Sequence, residues 1–174
     1  MSEKTTFTEQ GKAASQAQLQ AFAQASLDQK MARMKAFVQN NPNHEFSKVN
    51  QHLLKLDTQQ SWNGAGLLSM SGFGWWALNL SVDVAYPHYV IYNATGGPDW
   101  TVSLFTSSVA GYFLVDPSTL RGACNFSMQS VGVGVGEISI DLFYQNGTQV
   151  GSFFGAAVGV SISKVSGSGT IEYH

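Results

Sequence analysis

The chain is poor in the groups that staple, ligate or react. Cys124 is its single cysteine, so no intrachain disulfide is available and compactness has to come from packing. Histidine is also scarce. His44 and His52 lie eight apart, no HxxxH or CxxC spacing occurs, and the sequence therefore offers no zinc-type ligand set. No stretch approaches the ~20 consecutive apolar residues of a membrane-spanning helix. The opening MSEKTTFTEQ has no apolar leader region, so a conventional secretory signal is not expected here, and the compartment, export or delivery to a host cell included, is left open. With a formal net charge of −2 the chain also lacks the basic footprint of a nucleic-acid binder.

What is present is unevenly spread. Seven of the nine basic residues precede Trp62, leaving Arg121 and Lys164 beyond it, whereas Gly11 is the only one of 18 glycines before Asn63. Two segments of different character meet near residue 60. We expect a helical extension over 1–61 and an antiparallel β domain over 62–174.

Residues 10–38 are rich in the helix formers Ala, Gln, Met and Lys, and Leu19, Ala23, Leu27, Met31, Met34 and Val38 recur at steps of three and four. Asn40-Asn41-Pro42-Asn43 breaks this stripe, because Pro42 removes a backbone donor and disfavours helix in the residue before it. A second helix then carries Phe46, Val49, Leu53 and Leu56. An amphipathic face has to be buried somewhere. Either these helices pack on their own barrel or stay mobile in solution, or they dock on a chaperone, a membrane or a neighbour, a second copy of the chain included.

Beyond residue 62, turn residues over Trp62–Gly66 lead into strands. Trp76, Leu78, Leu80, Val82 and Val84 alternate with Ala77, Asn79, Ser81 and Asp83, the period of a half-buried strand. Pro87 places an edge or a cis turn after Tyr86. Gly96-Gly97-Pro98-Asp99 reads as a turn before a strand carrying Trp100, Val102 and Leu104. Asp116-Pro117 has the form of a cap and first helical position, and predicts one helical turn. Ile138, Ile140, Leu142 and Tyr144 share one strand face, and Asn146-Gly147 predicts a two-residue type I′ turn that pairs Gln145 with Thr148 and Leu142 with Gly151. A turn or bulge is expected inside the Val-Gly repeat of 131–136, then a strand over 148–164 bent near Gly155 and a last one over 169–173. About eight strands with short connections imply a closed barrel or a Greek-key sandwich. The four N-x-Ser/Thr sequons, at Asn79, Asn93, Asn125 and Asn146, occur in a chain rich in Ser and Thr, where chance accounts for them.

Leu104-Phe105-Thr106, the 116–120 turn, Asn125-Phe126-Ser127-Met128-Gln129, the hairpin ISIDLFYQNGTQVGSFFGAAV and the tail VSGSGTI resemble the core of the actinobacterial virulence-associated Vap proteins. The resemblance covers the last three-fifths of the chain. It implies a compact eight-stranded barrel of two Greek keys, without catalytic residues, that acts at host phagosomal or lysosomal membranes. Those proteins carry a leader and a largely disordered N-terminal part, from which the helical pattern here departs.

Nothing in the residues points to catalysis. A Ser-His-Asp set drawn through His88 with Asp83 or Asp99 lacks a nucleophile elbow. Glu137 and Asp141 on one strand face fit a solvated surface. The alternating glycines have neither a following Gly-Lys-Ser/Thr nor a helix to make a phosphate loop. No cofactor is expected, and the chain reads as a non-enzyme. Adjacent Trp75 and Trp76 must point to opposite sheet faces, so one of them lies outside. Phe73, Trp75, Tyr86 and Tyr89 are therefore the candidate contact surface, toward a host membrane or a partner protein. Two alternatives stand beside this reading. The Asn146-Gly147 hairpin has the alternation of a pore-forming β-hairpin, and an eight-stranded barrel has room for one small apolar ligand.

Overall fold

The computed structural model describes residues 21, 24–26, 28–56, 62–99, 105–131, 135–158 and 163–174. Its strands are β1 (Trp62–Ala85), β2 (His88–Asp99), β3 (Phe105–Phe113), β4 (Arg121–Val131), β5 (Val135–Tyr144), β6 (Gln149–Val158) and β7 (Ser163–Tyr173). Every pairing is antiparallel, and the sheet closes in the order β1-β2-β7-β4-β5-β6-β3. The long β1 serves twice, because residues 62–70 pair with β3 while residues 74–85 pair with β2. Eight staves result, a barrel and not a sandwich.

The double use of β1 explains residues 62–66, which sequence texture assigns to a turn and which are strand instead. The first arm of β1 lies directly on the second. A Cβ at Gly66 would stand 1.8 Å from the carbonyl oxygen of Ser81, so only glycine lets the backbones approach this closely. Between the arms Gly72 takes φ +149°, a conformation that side-chain-bearing residues rarely adopt.

Inside, the expected alternation holds. Trp76, Leu78, Leu80 and Val82 of β1 are buried with Tyr92, Phe126, Ile138, Ile140, Leu142, Phe153 and Ile171 in one cluster. Aromatic rings meet edge to face, Trp76 on Phe126 at 5.3 Å and Phe113 on Phe153 at 5.0 Å. The Tyr92 hydroxyl donates to the Cys124 carbonyl at 2.9 Å, which gives this buried polar group its partner. Among the described residues the Trp76 indole N–H finds no acceptor.

Three connections differ from expectation. Residues 96–99 continue β2, with Gly96 opposite Trp76, in place of a turn. The 148–164 stretch is not one strand, since β6 pairs with β3 and β5 whereas β7 pairs with β2 and β4. The Asn146-Gly147 hairpin keeps Leu142 opposite Gly151 but does not form a type I′ turn. That turn needs positive φ at both central residues, and Gly147 alone has it, at +87°. The Gly147 N–H closes on the Tyr144 carbonyl and the Tyr144 N–H on Thr148, a three-residue loop whose extra residue is absorbed by a register shift after Leu142. The expected turn at Asp116 is present, with its carboxylate accepting from the Ser118 N–H ahead of a 3-10 turn at Pro117–Thr119. The break inside the Val-Gly repeat, the strand through Trp100–Leu104, and the stripe positions Leu19, Ala23 and Leu27 lie outside the described residues.

Helix α1 (residues 28–40) and helix α2 (Glu45–Val49), followed by a 3-10 turn over Gln51–Lys55, lie on the outside of the barrel. Met31, Val38 and Leu53 are buried against Tyr112, Leu114 and Phe154, the outward-facing residues of the β3–β6 side. Val49 is exposed, contrary to its place in the stripe, and Asn50 is buried instead. Asn50 works as a backbone mimic. Its Oδ1 accepts from the Gln149 N–H at 2.7 Å while its Nδ2 donates to the carbonyls of Gly147 and Phe46.

Candidate functional site

The four aromatic candidates do not form one patch. Trp75 faces solvent, 74% exposed, while Trp76 is buried, as their adjacency in a strand requires. Tyr86 is fully exposed at the β1–β2 turn, next to the cis Tyr86-Pro87 bond. Tyr89 is partly exposed on β2. Ten strand residues at about 3.3 Å each put Trp75 and Ala85 roughly 30 Å apart. The hairpin therefore carries Trp75 at one end and the tyrosines at the other. The side chain of Phe73 lies outside the described residues.

The tyrosine end gathers groups that the sequence reading kept apart. Tyr89 stacks on His174 at 5.1 Å, and His88 stacks on Tyr173 at 5.1 Å. Backbone bonds between Tyr89 and His174 tie the two strands, and the His88 ring Nδ1 lies 3.3 Å from the His174 carbonyl. His174 in turn stands 3.6 Å from the Glu172 carboxylate. Pairing of β2 with β7 produces this cluster, a non-local contact that strand alternation alone does not report. The His88 ring is held by a main-chain oxygen and an aromatic face, so the imagined triad is not assembled around it.

A second constellation sits where the helices meet the barrel. Lys30 reaches both carboxylate oxygens of Asp141 at 2.6 Å and lies 5.4 Å from the centre of the Phe154 ring. Asp141 also accepts from the Ser152 hydroxyl at 2.7 Å and the Gln149 amide at 3.3 Å. Tyr112 donates to Asp28 at 3.1 Å, and burial with that hydrogen bond pushes its phenol up to about 12. His52 Nε2 lies 3.1 Å from the Gln149 carbonyl, and burial lowers its pKa. Asp141, which sequence reasoning left as a solvated outer residue, is thus the anchor of the helical segment. Its signal was weak, because the Lys30 partner lies 111 positions away. Beside it a groove of about 530 Å³ runs along Lys30, Arg33, Met34, Phe37, Phe46 and Phe154.

Among the described residues no three His, Cys, Asp or Glu side chains stand close enough to hold a metal ion, and no helix is long and apolar enough to cross a membrane. Cys124 is buried, and burial pushes its thiol up to about 12, far from a nucleophilic thiolate.

No family model matches the sequence, and no curated protein matches it. Among solved structures, the virulence-associated protein VapB from the intracellular pathogen Rhodococcus equi is similar at 16% identity and a TM-score of 0.42, over 66% of this chain and 98% of that one.

Proposed function

We propose that this chain is a non-catalytic β-barrel that works by surface contact, with the exposed tyrosine turn of the β1–β2 hairpin as its leading contact point. The observation that carries this reading is Tyr86, fully exposed at a strand turn that leads directly into the His88–Tyr173 and Tyr89–His174 stacks. A tyrosine held out from a rigid turn suits a membrane–water interface, where its ring is apolar and its hydroxyl stays wet. The surface proposed is a host membrane, and the resemblance to the Vap proteins makes a phagosomal or lysosomal one the first to try.

The alternatives fit the geometry less well. Tyr92, Phe113 and Phe153 fill the barrel interior, which leaves little room there for a carried ligand. A spanning barrel needs a continuous apolar outer band, whereas the outward residues of β1, β2 and β7 mix Leu67, Trp75 and Ile91 with Asn79, Ser81, Asn93, Thr95, Ser168 and Thr170.

Flotation of the full chain with phosphatidylcholine–phosphatidylserine liposomes tests the proposal. The wild type is expected to float and Tyr86→Ser to lose most of that binding at an unchanged melting temperature, with no dye released from the vesicles by either. Wild type that stays at the bottom of the gradient, or Tyr86→Ser that floats equally well, overturns the assignment.

A further inference from the structure

Where β1 bends, its two arms and the neighbouring strands enclose a second groove, of about 360 Å³, on the outer face of the barrel. Ser69 and Ser71 come from the first arm, Asn79 from the second, Asn93 and Thr95 from β2, and Ser168 and Thr170 from β7. The remaining lining residues are Ala, Gly and Leu, so among the described residues nothing ionisable lines the groove. Its volume lies at the small end of the ligand-site range.

The chemistry of this lining is selective. Hydroxyls and amides each give and accept hydrogen bonds, and a site made of them suits a ligand whose surface does both. Without a cation among its described lining residues it has no hold on a phosphate, a sulfate or an acidic peptide. Asn79 Nδ2 donates to Asn93 Oδ1 at 2.6 Å across the strands, which fixes both amides in place and leaves the Asn93 N–H₂ and the Asn79 carbonyl for an incoming group. Small neighbours, Ala77 and Gly169 among them, keep the floor low enough for a ring to approach. Trp75 is not one of the lining residues; it stands in β1 two residues before Ala77, exposed on the same outer face, and its indole is the kind of face on which the C–H side of a sugar ring stacks.

We infer that this groove binds a neutral carbohydrate of one or two sugar rings, with the Asn79–Asn93 pair recognising hydroxyls and Trp75 supplying the stacking face. The match is one of charge and of donor–acceptor balance. An uncharged polyol matches the lining hydroxyls and amides, and an anionic glycan would set its charge against uncharged neighbours that do not compensate it. This site is independent of the tyrosine turn, which lies at the other end of the hairpin.

Binding of the full chain to an array of neutral glucose-, galactose-, mannose- and N-acetylglucosamine-terminated oligosaccharides, with sulfated and sialylated counterparts, tests it, followed by calorimetry on the best neutral binder. Retention on a neutral group is expected, together with at least a tenfold loss of affinity in Trp75→Ala and in the double variant Asn79→Ala/Asn93→Ala. Both changes are at exposed positions, and their melting temperatures are expected to match the wild type. Silence across all neutral glycans, retention on sulfated or sialylated ones alone, or unchanged affinity in folded variants each overturns the inference. Tyr86→Ser is expected to bind the sugar as well as the wild type does, which separates this result from the liposome experiment.

Discussion

A single missing side chain decides how β1 can be used twice. Alanine at position 66 would push its Cβ into the Ser81 carbonyl oxygen, and that oxygen belongs to the backbone and cannot swing aside as a flexible side chain does. Overpacking against movable side chains costs typically 1–3 kcal/mol. Gly66→Ala is therefore expected to cost at least about 3 kcal/mol in urea denaturation, and a variant within about 0.5 kcal/mol of wild type would show that the arms are not in contact. Residue-level reading found Trp76 and its neighbours inside and Trp75 outside because alternation is a local property of a strand. It misread Gly64 and Gly66 as turn residues, since a glycine needed for close approach looks the same in sequence as one needed for a turn.

Among elements, the helical segment and the β5–β6 hairpin are joined by polar contacts around a small apolar interface. Asn50, His52 and Lys30 reach Gln149, Gly147 and Asp141, while Met31, Val38 and Leu53 cover Tyr112, Leu114 and Phe154. His52 makes this contact sensitive to acid. Burial lowers its pKa in the folded state below the ordinary 6.5, with the bond to the Gln149 carbonyl partly opposing that effect. Between the lowered value and 6.5 the unfolded chain binds more protons than the folded one, so stability falls as pH drops through that window. Amide protection over residues 28–56, corrected for the intrinsic pH dependence of exchange, is expected to fall between pH 7.5 and pH 5.5, and His52→Gln is expected to flatten the change. A pH response that survives the substitution would assign the effect to another group. The stripe at Met31, Met34 and Val38 announced that α1 has a partner. Nothing in the stripe named β3 and β6 as that partner, because complementarity between a helix face and a sheet face is not written in either one alone.

For the molecule as a whole, closure of the sheet is what protects its one thiol. Cys124 sits in the interior cluster, and the barrel has to open before a reagent can reach it. Labelling by a disulfide reagent at pH 8 is expected to be slow in buffer and to accelerate in step with the urea unfolding transition. Fast labelling of the native protein would mean that the interior breathes and is not the packed core described. The same closure, through the β2–β7 pairing, places Tyr89 against His174 and His88 against Tyr173.

Sequence by itself determined the all-β character beyond residue 62 and the inner face of most strands, because composition and period-two alternation are carried by neighbouring residues. Tertiary structure alone decided that one strand forms two staves, that the Asn146-Gly147 loop takes three residues, that Asp141 anchors a helix and that Asn79 meets Asn93 in an uncharged groove. Each of these depends on backbones distant in sequence coming within a few ångströms, and no local pattern encodes that distance.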